Sequence, residues 1–278
     1  MHYSVYFVSD HTGLTIESLG QSLLSQFEGL SLTSQMVPYI NTEDKARDLV
    51  ETFDRRQKDN EQETIVVFST MANPLLREYF KNRQFIHYDM FSTFLPGLED
   101  VFGQQALEVV GKSHNIADDP NYMNRIEAVD YALLHDDGLG VDNYDDADLI
   151  LIGVSRSGKT PTSLYLAIKF GIRTANYPLV PDDWQGCDDL PATLKPYQHK
   201  LFGLLVEPER LHQVRQERYA NSDYASMRRC RQDINRAKAL YQMCRLPYLE
   251  VSSLSIEEIA TQIVFYNKQV NGNIPLSK

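Results

Sequence analysis

The chain has 278 residues and a formal net charge of −11, with 42% hydrophobic and 23% charged residues. This length and composition are typical of a soluble globular protein with one or two domains. The negative charge argues against a surface that attracts nucleic acid or anionic lipid as a whole, so we expect neither as a partner. No stretch approaches the ~18 uninterrupted apolar residues of a membrane span.

The first residues and the cysteines indicate where the protein works. The N-terminus, MHYSVYFVSD, lacks the basic segment and apolar core of an export signal. Cys187, Cys230 and Cys244 are odd in number and have no metal-ligand spacing. They therefore predict free thiols in a reducing cytoplasm and no zinc site.

Apolar runs of strand length alternate with longer segments of helical periodicity, which is typical of an α/β fold. Strands are predicted at 3–9, 33–40, 64–70 and 85–91 in the first part of the chain, with helices at 15–27, at 42–57 and from Asn73 onward. The helix at 15–27 carries Ile16, Leu19, Leu23 and Phe27 on one face.

The pattern weakens from about 96 to 120, where Pro, Gly, Asp and Asn are typical of loops and caps. We place a boundary there, between an N-terminal α/β domain at 1–110 and a C-terminal domain at 111–278 with a mostly parallel sheet. In the second domain a helix at 122–138 ends at Gly138. Further strands are predicted at 147–154, 173–180, 201–207 and 247–252, and helices at about 160–170, 223–244 and 255–270. Ser255 and Glu258 form a capping box at the start of the last helix.

The most informative motif follows the strand at 147–154. Gly153 and Gly158 occupy the two glycine positions of G-x-x-x-x-G-K-[ST], which Lys159 and Thr160 complete. Glycines let backbone N–H groups turn around phosphate oxygens, and the lysine brings a point charge to the outer phosphates. The threonine hydroxyl is the predicted Mg²⁺ ligand, and the following helix points its positive end at the anion. The predicted nucleotide ligands are Gly153, Val154, Ser155, Arg156, Ser157, Gly158, Lys159 and Thr160.

Phosphoryl transfer to a hydroxyl also needs a group that accepts its proton, usually a carboxylate. Asp136 and Asp137, in LLHDDG just before the loop's strand, are the main candidates for base or metal partner, although a polar turn would explain them too. Arg156 could lie against the transferred phosphoryl group or simply be exposed. Ser9, Asp10 and Thr12 are weaker candidates at the carboxyl end of a strand, where Asp10 or Thr12 would also suit a helix N-cap. Glu207 and Asp89 are weaker candidates for a second, metal-binding acid like that of the Walker B motif.

Four segments together resemble a known family: VSDHTG, YMNRIEAVDYALLHDDG, GVSRSGKTPTSLYLA and KPYQHKLFGLLVEPERLHQVR. They resemble the phosphoenolpyruvate synthase regulatory proteins, which are relatives of the pyruvate, phosphate dikinase regulatory proteins. The resemblance runs from the first strand to SIEEIATQI near the C-terminus and is weakest at 97–121.

This resemblance implies a bifunctional enzyme with a P-loop kinase-like C-terminal domain. Such proteins phosphorylate a threonine of phosphoenolpyruvate synthase with ADP as donor, which inactivates the synthase and releases AMP. They also remove that phosphate with inorganic phosphate, forming pyrophosphate. The implied site is the nucleotide loop at 153–160, in which Lys159 contacts the phosphates and Thr160 binds Mg²⁺. Without the resemblance, the residues predict only a nucleotide-dependent phosphotransferase.

Two other functions fit the motif. One is an ATP-dependent P-loop kinase of a small molecule, and the other is a nucleotide-sensing regulator that acts by docking alone. A homodimer is also expected, because the weakly patterned middle and the amphipathic C-terminal helices leave apolar faces to cover.

Overall fold

The alternation of apolar runs with amphipathic segments produces two parallel sheets. A computed structural model describes residues 2–60, 62–110, 122–180, 183 and 189–271. It divides into two units, Met1–Asn115 and Ile116–Lys278, each containing a four-stranded sheet. All strand pairs are parallel, which confirms the predicted α/β class. The predicted boundary at 110/111 adjoins 111–121, which lie outside the described residues, so it stays a prediction.

The sheet of the first unit has the strand order β2-β1-β3-β4. Its elements are β1 (His2–Ser9), α1 (Leu14–Leu24), β2 (Leu32–Val37), α2 (Glu43–Asp59), β3 (Glu63–Thr70), α3 (Pro74–Glu78), β4 (Ile86–Asp89) and α4 (Met90–Phe102). β1 lies between β2 and β3, with Val5 paired to Ser34 on one side and to Val66 on the other.

The sheet of the second unit has the order β6-β5-β7-β8, which repeats the arrangement of the first unit. Its elements are α5 (Tyr122–Leu134), β5 (Leu149–Val154), α6 (Lys159–Phe170), β6 (Thr174–Leu179), β7 (Leu201–Leu205), α7 (Pro208–Arg218), α8 (Met227–Met243), β8 (Tyr248–Glu250) and α9 (Ile256–Asn271). Short 3₁₀ segments at 136–138 and 141–146 connect α5 to β5.

The two central strands of this second sheet position the P-loop. Every residue of β5 and of β7 is buried, as expected for parallel strands that are covered on both faces. β5 pairs with β6 on one side and with β7 on the other, so the strand order reverses between β5 and β7. Such a reversal opens a crevice at the carboxyl ends of the strands, which is where open α/β sheets bind ligands.

Of the four apolar residues that the sequence places on one face of the first helix, only Ile16 is buried. Ile16 is fully buried, but Leu19, Leu23 and Phe27 are 39%, 44% and 63% exposed. The helix packs instead through Ile16 and Gly20, and a Cβ at position 20 would lie 2.2 Å from the ring of Phe7. The Phe7 ring fills the space beside Gly20. α1 therefore packs on the sheet through Ile16 and this close contact at Gly20, and not through a row of four apolar side chains.

The loop predicted from residue 96 is also wrong, because α4 continues through Pro96 to Phe102. Its ends are well defined: the Asp89 carboxylate accepts the N–H of Phe91 at 3.2 Å, and Gly103 closes the helix in a left-handed conformation. An interior proline removes one N–H and its ring crowds the carbonyl four residues earlier, at a cost of about 3 kcal/mol, and the capped ends offset part of that cost.

Two other predictions concern helix ends. The helix predicted at 122–138 stops at Leu134, and Gly138 ends the 3₁₀ turn that follows it. The capping box of α9 is confirmed, since the Glu258 carboxylate accepts the Ser255 N–H at 2.8 Å and the Ser255 hydroxyl accepts the Glu258 N–H at 3.3 Å.

Candidate functional site

The predicted nucleotide loop joins β5 to α6 and turns sharply at its glycines. A Cβ at Gly153 would lie 2.6 Å from the Ser157 hydroxyl and 2.8 Å from the carbonyl oxygen of Leu204, so no side chain fits there. Gly158 adopts a φ of 87° directly before α6. Arg156 has a φ of 77°, which is uncommon for a residue with a Cβ, and its side chain is exposed. The loop thus holds a strained, glycine-dependent bend at the N-terminus of a helix.

Lys159, the first residue of α6, folds its side chain back over this bend. Its ammonium donates to the carbonyl oxygens of Gly153 and Val154, both at 3.1 Å, and the residue is only 4% exposed. Burial lowers the pKa of Lys159 to about 8, and the negative charges of Asp137 and Asp136 oppose that shift. A buried cation at a loop of backbone donors is suited to bind the oxygens of a diphosphate.

Asp136 lies directly beside the threonine of the motif. The Thr160 hydroxyl donates to the Asp136 carboxylate at 2.8 Å, and the amide of Asn176 donates to the same oxygen. The side-chain carbonyl oxygen of Asn176 accepts a hydrogen bond from the backbone N–H of Asp137 at 3.0 Å. Asn176, on β6, is completely buried and is not among the site residues predicted from the sequence. The available signal was a polar residue in the apolar run RTANYPLV.

Asp137 differs from its neighbour in having an exposed side chain. Its backbone is left-handed, with a φ of 50°, and its carboxylate makes no hydrogen bond within the described ranges. Its charge nevertheless acts on Lys159 more strongly than that of Asp136. The structure therefore brings Asp136, Asp137, Lys159 and Thr160 together, with one carboxylate tied to the threonine and the other uncommitted.

A buried arginine behind the loop was not anticipated from the sequence. Arg215, on α7, is 1% exposed and donates to the Ser155 carbonyl oxygen at 3.3 Å and to the Asp233 carboxylate at 2.9 Å. The Tyr224 hydroxyl bonds the Ser155 hydroxyl at 3.0 Å, and the guanidinium lies 4.1 Å from the ring centre of Tyr224. These contacts anchor the loop at Ser155. Nothing in the spacing of α7 and α8 distinguishes this arginine from their surface arginines.

Two buried hydroxyls at the loop, those of Ser157 and Thr162, have no hydrogen-bond partner among the described residues. The Ser157 hydroxyl faces Gly153 across the bend, and Thr162 lies in the first turn of α6. Both hydroxyls therefore lie next to the motif without a hydrogen-bond partner. His135 is 5% exposed and stacks on Tyr131, with 3.8 Å between the ring centres.

The weaker candidates have local roles. The Asp10 carboxylate accepts the N–H groups of Ala72 and Asn73 at 2.6 and 3.3 Å, and burial raises its pKa. Gly13 is the N-cap residue of α1, so neither Asp10 nor Thr12 caps that helix. Asp89 caps α4, as described above.

Glu207, another of the weaker candidates, is exposed. It directly precedes α7, and its backbone N–H donates to the Ser252 hydroxyl at 2.7 Å.

The residues present are suited to hold a magnesium nucleotide. Backbone donors and Lys159 match phosphate oxygens, and the hydroxyl–carboxylate pair of Thr160 and Asp136 offers the hard oxygen atoms that Mg²⁺ prefers. Within the described ranges, no three His, Cys, Asp or Glu side chains are grouped as a protein-only metal site requires. Mg²⁺ usually takes few protein ligands and completes its shell with water and phosphates. No helix in the described part of the chain is both long and apolar enough to cross a bilayer.

The sequence is similar to those of known proteins. A family model described as kinase/pyrophosphorylase matches residues 5–264. A protein of Chromohalobacter salexigens named "Putative phosphoenolpyruvate synthase regulatory protein" is 46% identical over 266 residues, which are 95% of this chain and 96% of that protein. Proteins with the same name from Marinobacter nauticus and Pseudomonas fluorescens are 46% and 44% identical, again over 95% of this chain and over 97% and 96% of their own lengths. These matches confirm the resemblance drawn from the motifs, and the chain belongs to the kinase/pyrophosphorylase family.

Proposed function

We propose that this protein transfers the β-phosphoryl group of ADP to a threonine of phosphoenolpyruvate synthase, and that it removes the group again with inorganic phosphate. The observation that carries the proposal is the cluster at the end of β5, where buried Lys159 and the pair of Thr160 and Asp136 surround one glycine-rich bend. The family description and the printed names of the relatives support the choice of reaction and of protein substrate.

In the forward direction the threonine oxygen attacks the β-phosphorus of ADP. A new oxygen–phosphorus bond forms, the bond to the bridging oxygen breaks, and AMP leaves. Lys159 and the backbone N–H groups of the bend bind the phosphate oxygens, where negative charge is concentrated. Mg²⁺ bound near Thr160 would neutralise further phosphate charge. Asp137, whose carboxylate is uncommitted, is the proposed acceptor of the threonine proton.

In the reverse direction an oxygen of inorganic phosphate attacks the phosphorus of phosphothreonine. The threonine oxygen leaves and takes up a proton from the protonated carboxyl group of Asp137. Pyrophosphate is the product. The same bend would bind the diphosphate of ADP in one direction and the forming pyrophosphate in the other. One anion site therefore serves both reactions.

The forward reaction can be tested with ADP labelled at the β-phosphate, purified synthase and Mg²⁺. We expect label on the synthase and an equal amount of AMP, with mass spectrometry placing the phosphate on a threonine. Lys159→Ala should abolish labelling, because the buried cation is lost. Lys169→Ala, which removes an exposed lysine in the last turn of the same helix, should leave it intact.

The reverse reaction separates this proposal from its alternatives. Phosphorylated synthase and inorganic phosphate should yield pyrophosphate with the parent protein and none with Lys159→Ala. Loss of one direction alone would mean two separate sites. Inhibition of the synthase by Lys159→Ala without covalent phosphate would favour a docking regulator, and phosphorylation of a small molecule from ATP would favour an ordinary P-loop kinase.

A further inference from the structure

A cleft of about 990 Å³ opens at the amino-terminal edge of the second unit's sheet. Its lining includes the residues that directly precede the four strands, namely Asp148, Arg173, Lys200 and Pro247. The P-loop follows the opposite, carboxyl end of β5. The cleft is therefore a separate concavity, and its volume is that of a small-molecule site.

Two of the cations in this lining are already neutralised. Arg173 forms an ion pair with Asp148 at 3.4 Å, and both side chains line the cleft. Lys195 forms an ion pair with Asp189 at 2.6 Å. These pairs contribute little net charge to the cleft.

Two other cations, Lys200 and Arg245, form no ion pair with a carboxylate in the described part of the chain. The Lys200 ammonium donates only to the backbone carbonyl oxygens of Asp145 and Tyr144, at 2.6 and 3.4 Å. Arg245 has a left-handed φ of 52° directly after α8. The Asp145 carboxylate also lines the cleft and accepts a hydrogen bond from Tyr197. Across the whole lining, four cationic side chains face two carboxylates, and two of the cations lack an ion-pair partner, so the local charge favours an anionic ligand.

An amide adds hydrogen-bonding groups to the cleft. Asn267, on α9, is 6% exposed and lines the cleft, and its side chain makes no hydrogen bond among the described residues. Its amide atoms are not among the buried polar atoms that lack a partner, so they are accessible from the cleft. The amide offers two donors and one acceptor to whatever occupies the cleft. Beside it, Tyr266 packs edge-on against Phe202 and adds an apolar wall.

We propose that this cleft binds a small organic phosphate. The dianion of a phosphate monoester matches the two uncommitted cations, and the guanidinium of Arg245 can bind two phosphate oxygens at once. The Asn267 amide hydrogen-bonds a polar group of the organic part, which rests on Tyr266. This site is independent of the P-loop and of the reaction proposed for it.

The test uses the full-length Lys159→Ala protein, in which we expect weaker binding at the P-loop. Calorimetric titrations with AMP, phosphoenolpyruvate and inorganic phosphate are compared. We expect AMP or phosphoenolpyruvate to bind, and inorganic phosphate to bind at least about tenfold more weakly because it lacks the groups that reach Asn267. Equal binding of inorganic phosphate would overturn the organic part of the assignment, and absence of heat with all three at millimolar concentration would overturn the site.

Variants in the cleft identify where the probe binds. Arg245→Asn removes the charge and suits a left-handed backbone, and it should weaken binding about tenfold or more. Asn267→Leu should weaken binding without lowering the melting temperature, because no protein hydrogen bond is lost. Arg236→Asn, at an exposed arginine of α8 outside the cleft lining, is the matched control and should bind like the parent. Unchanged affinity in Arg245→Asn would refute the proposal.

A measurement on the parent protein avoids any dependence on how the variants fold. Hydrogen exchange with saturating AMP or phosphoenolpyruvate should slow at 195–201 and 245–249, the segments that line the cleft. Protection confined to 153–160 would place the probe in the P-loop alone and contradict the inference.

Discussion

The protonation of Lys159 controls the charge of the P-loop. Its side chain is buried, and its pKa of about 8 lies well below the ordinary 10.5. Between these two values the unfolded chain holds a proton that the folded chain has released, so this residue's contribution to stability rises with pH in that window. A bound diphosphate has the opposite preference, because it attracts the protonated ammonium.

We therefore expect ADP affinity to fall as the pH rises above about 8, by at most about tenfold per pH unit, with proton uptake on binding. Calorimetry between pH 7 and 10, in buffers of different ionisation enthalpy, measures both quantities. Lys159→Ala should bind ADP weakly and without this pH dependence. A flat affinity from pH 7 to 9.5 in the parent would show that the ammonium does not contact the phosphates.

Substitutions at Asp136 and at Asp137 should have different effects on the rate of transfer and on ADP affinity. Asp137→Asn should slow transfer to the threonine by about 10²–10⁴-fold with little change in ADP affinity, because an uncommitted proton acceptor is lost. Asp136→Asn should mainly weaken binding of the magnesium nucleotide, because its carboxylate holds Thr160. Single-turnover rates and ADP titrations separate the two effects, and equal losses of rate and affinity in both variants would refute the assignment.

At the scale of elements, glycines determine how closely helices approach their neighbours. Gly20 of α1 contacts the ring of Phe7, whereas a Cβ at Gly97 of α4 would meet nothing within 4 Å. Gly20→Ala should lower the free energy of unfolding by about 1–3 kcal/mol, because the Phe7 ring must move in a packed core. Gly97→Ala should raise the free energy of unfolding by about 0.5–1 kcal/mol through its higher helix propensity. Chemical denaturation measures both, and effects of the same sign would contradict the packing described for α1.

The contact of α7 with the P-loop depends on Arg215. Arg215→Met leaves the buried Asp233 without one of its partners, so we expect the free energy of unfolding to fall by about 3 kcal/mol. We also expect weaker ADP binding, because Ser155 loses its hydrogen bond to Arg215. Arg229→Met is the control, because Arg229 pairs with the same aspartate at 3.1 Å but is 26% exposed. It should cost about 1 kcal/mol or less. Denaturation and ADP titration of both variants test this, and equal costs would mean that burial is not decisive.

At the scale of the whole molecule, apolar side chains on α4 remain exposed, including Val101 at 78% and Phe102 at 71%. We propose that such faces are covered in a homodimer, since self-complementary pairing is the commonest oligomeric arrangement. Sedimentation at micromolar concentration should give a dimer, and Val101→Asp should shift it toward monomer. Phe27→Asp, at a 63% exposed residue that follows α1, serves as the control. A monomeric parent would contradict the proposal.

Local sequence determined most of the elements and the nucleotide loop. Periodicity identifies every strand of both sheets, and G-x-x-x-x-G-K-T identifies the bend, because backbone geometry there depends on glycine and lysine at fixed spacing. Helix ends were less accurate: Pro96 and Gly97 suggested a loop where capped ends maintain α4. Local breaker signals do not include the stabilising effect of caps several residues away.

Only the tertiary structure decided which distant groups meet. Asn176 and Arg215 are separated from the motif by whole elements. Asn176 reaches it because β6 pairs with β5 and contacts Asp136 of the 3₁₀ segment, and Arg215 reaches it because α7 follows the neighbouring strand β7 and contacts Ser155. The same packing gives Asp136 and Asp137 different surroundings, although they are neighbours in sequence. Burial and contact depend on three-dimensional packing, so the spacing of residues along the chain could nominate both carboxylates but could not distinguish them.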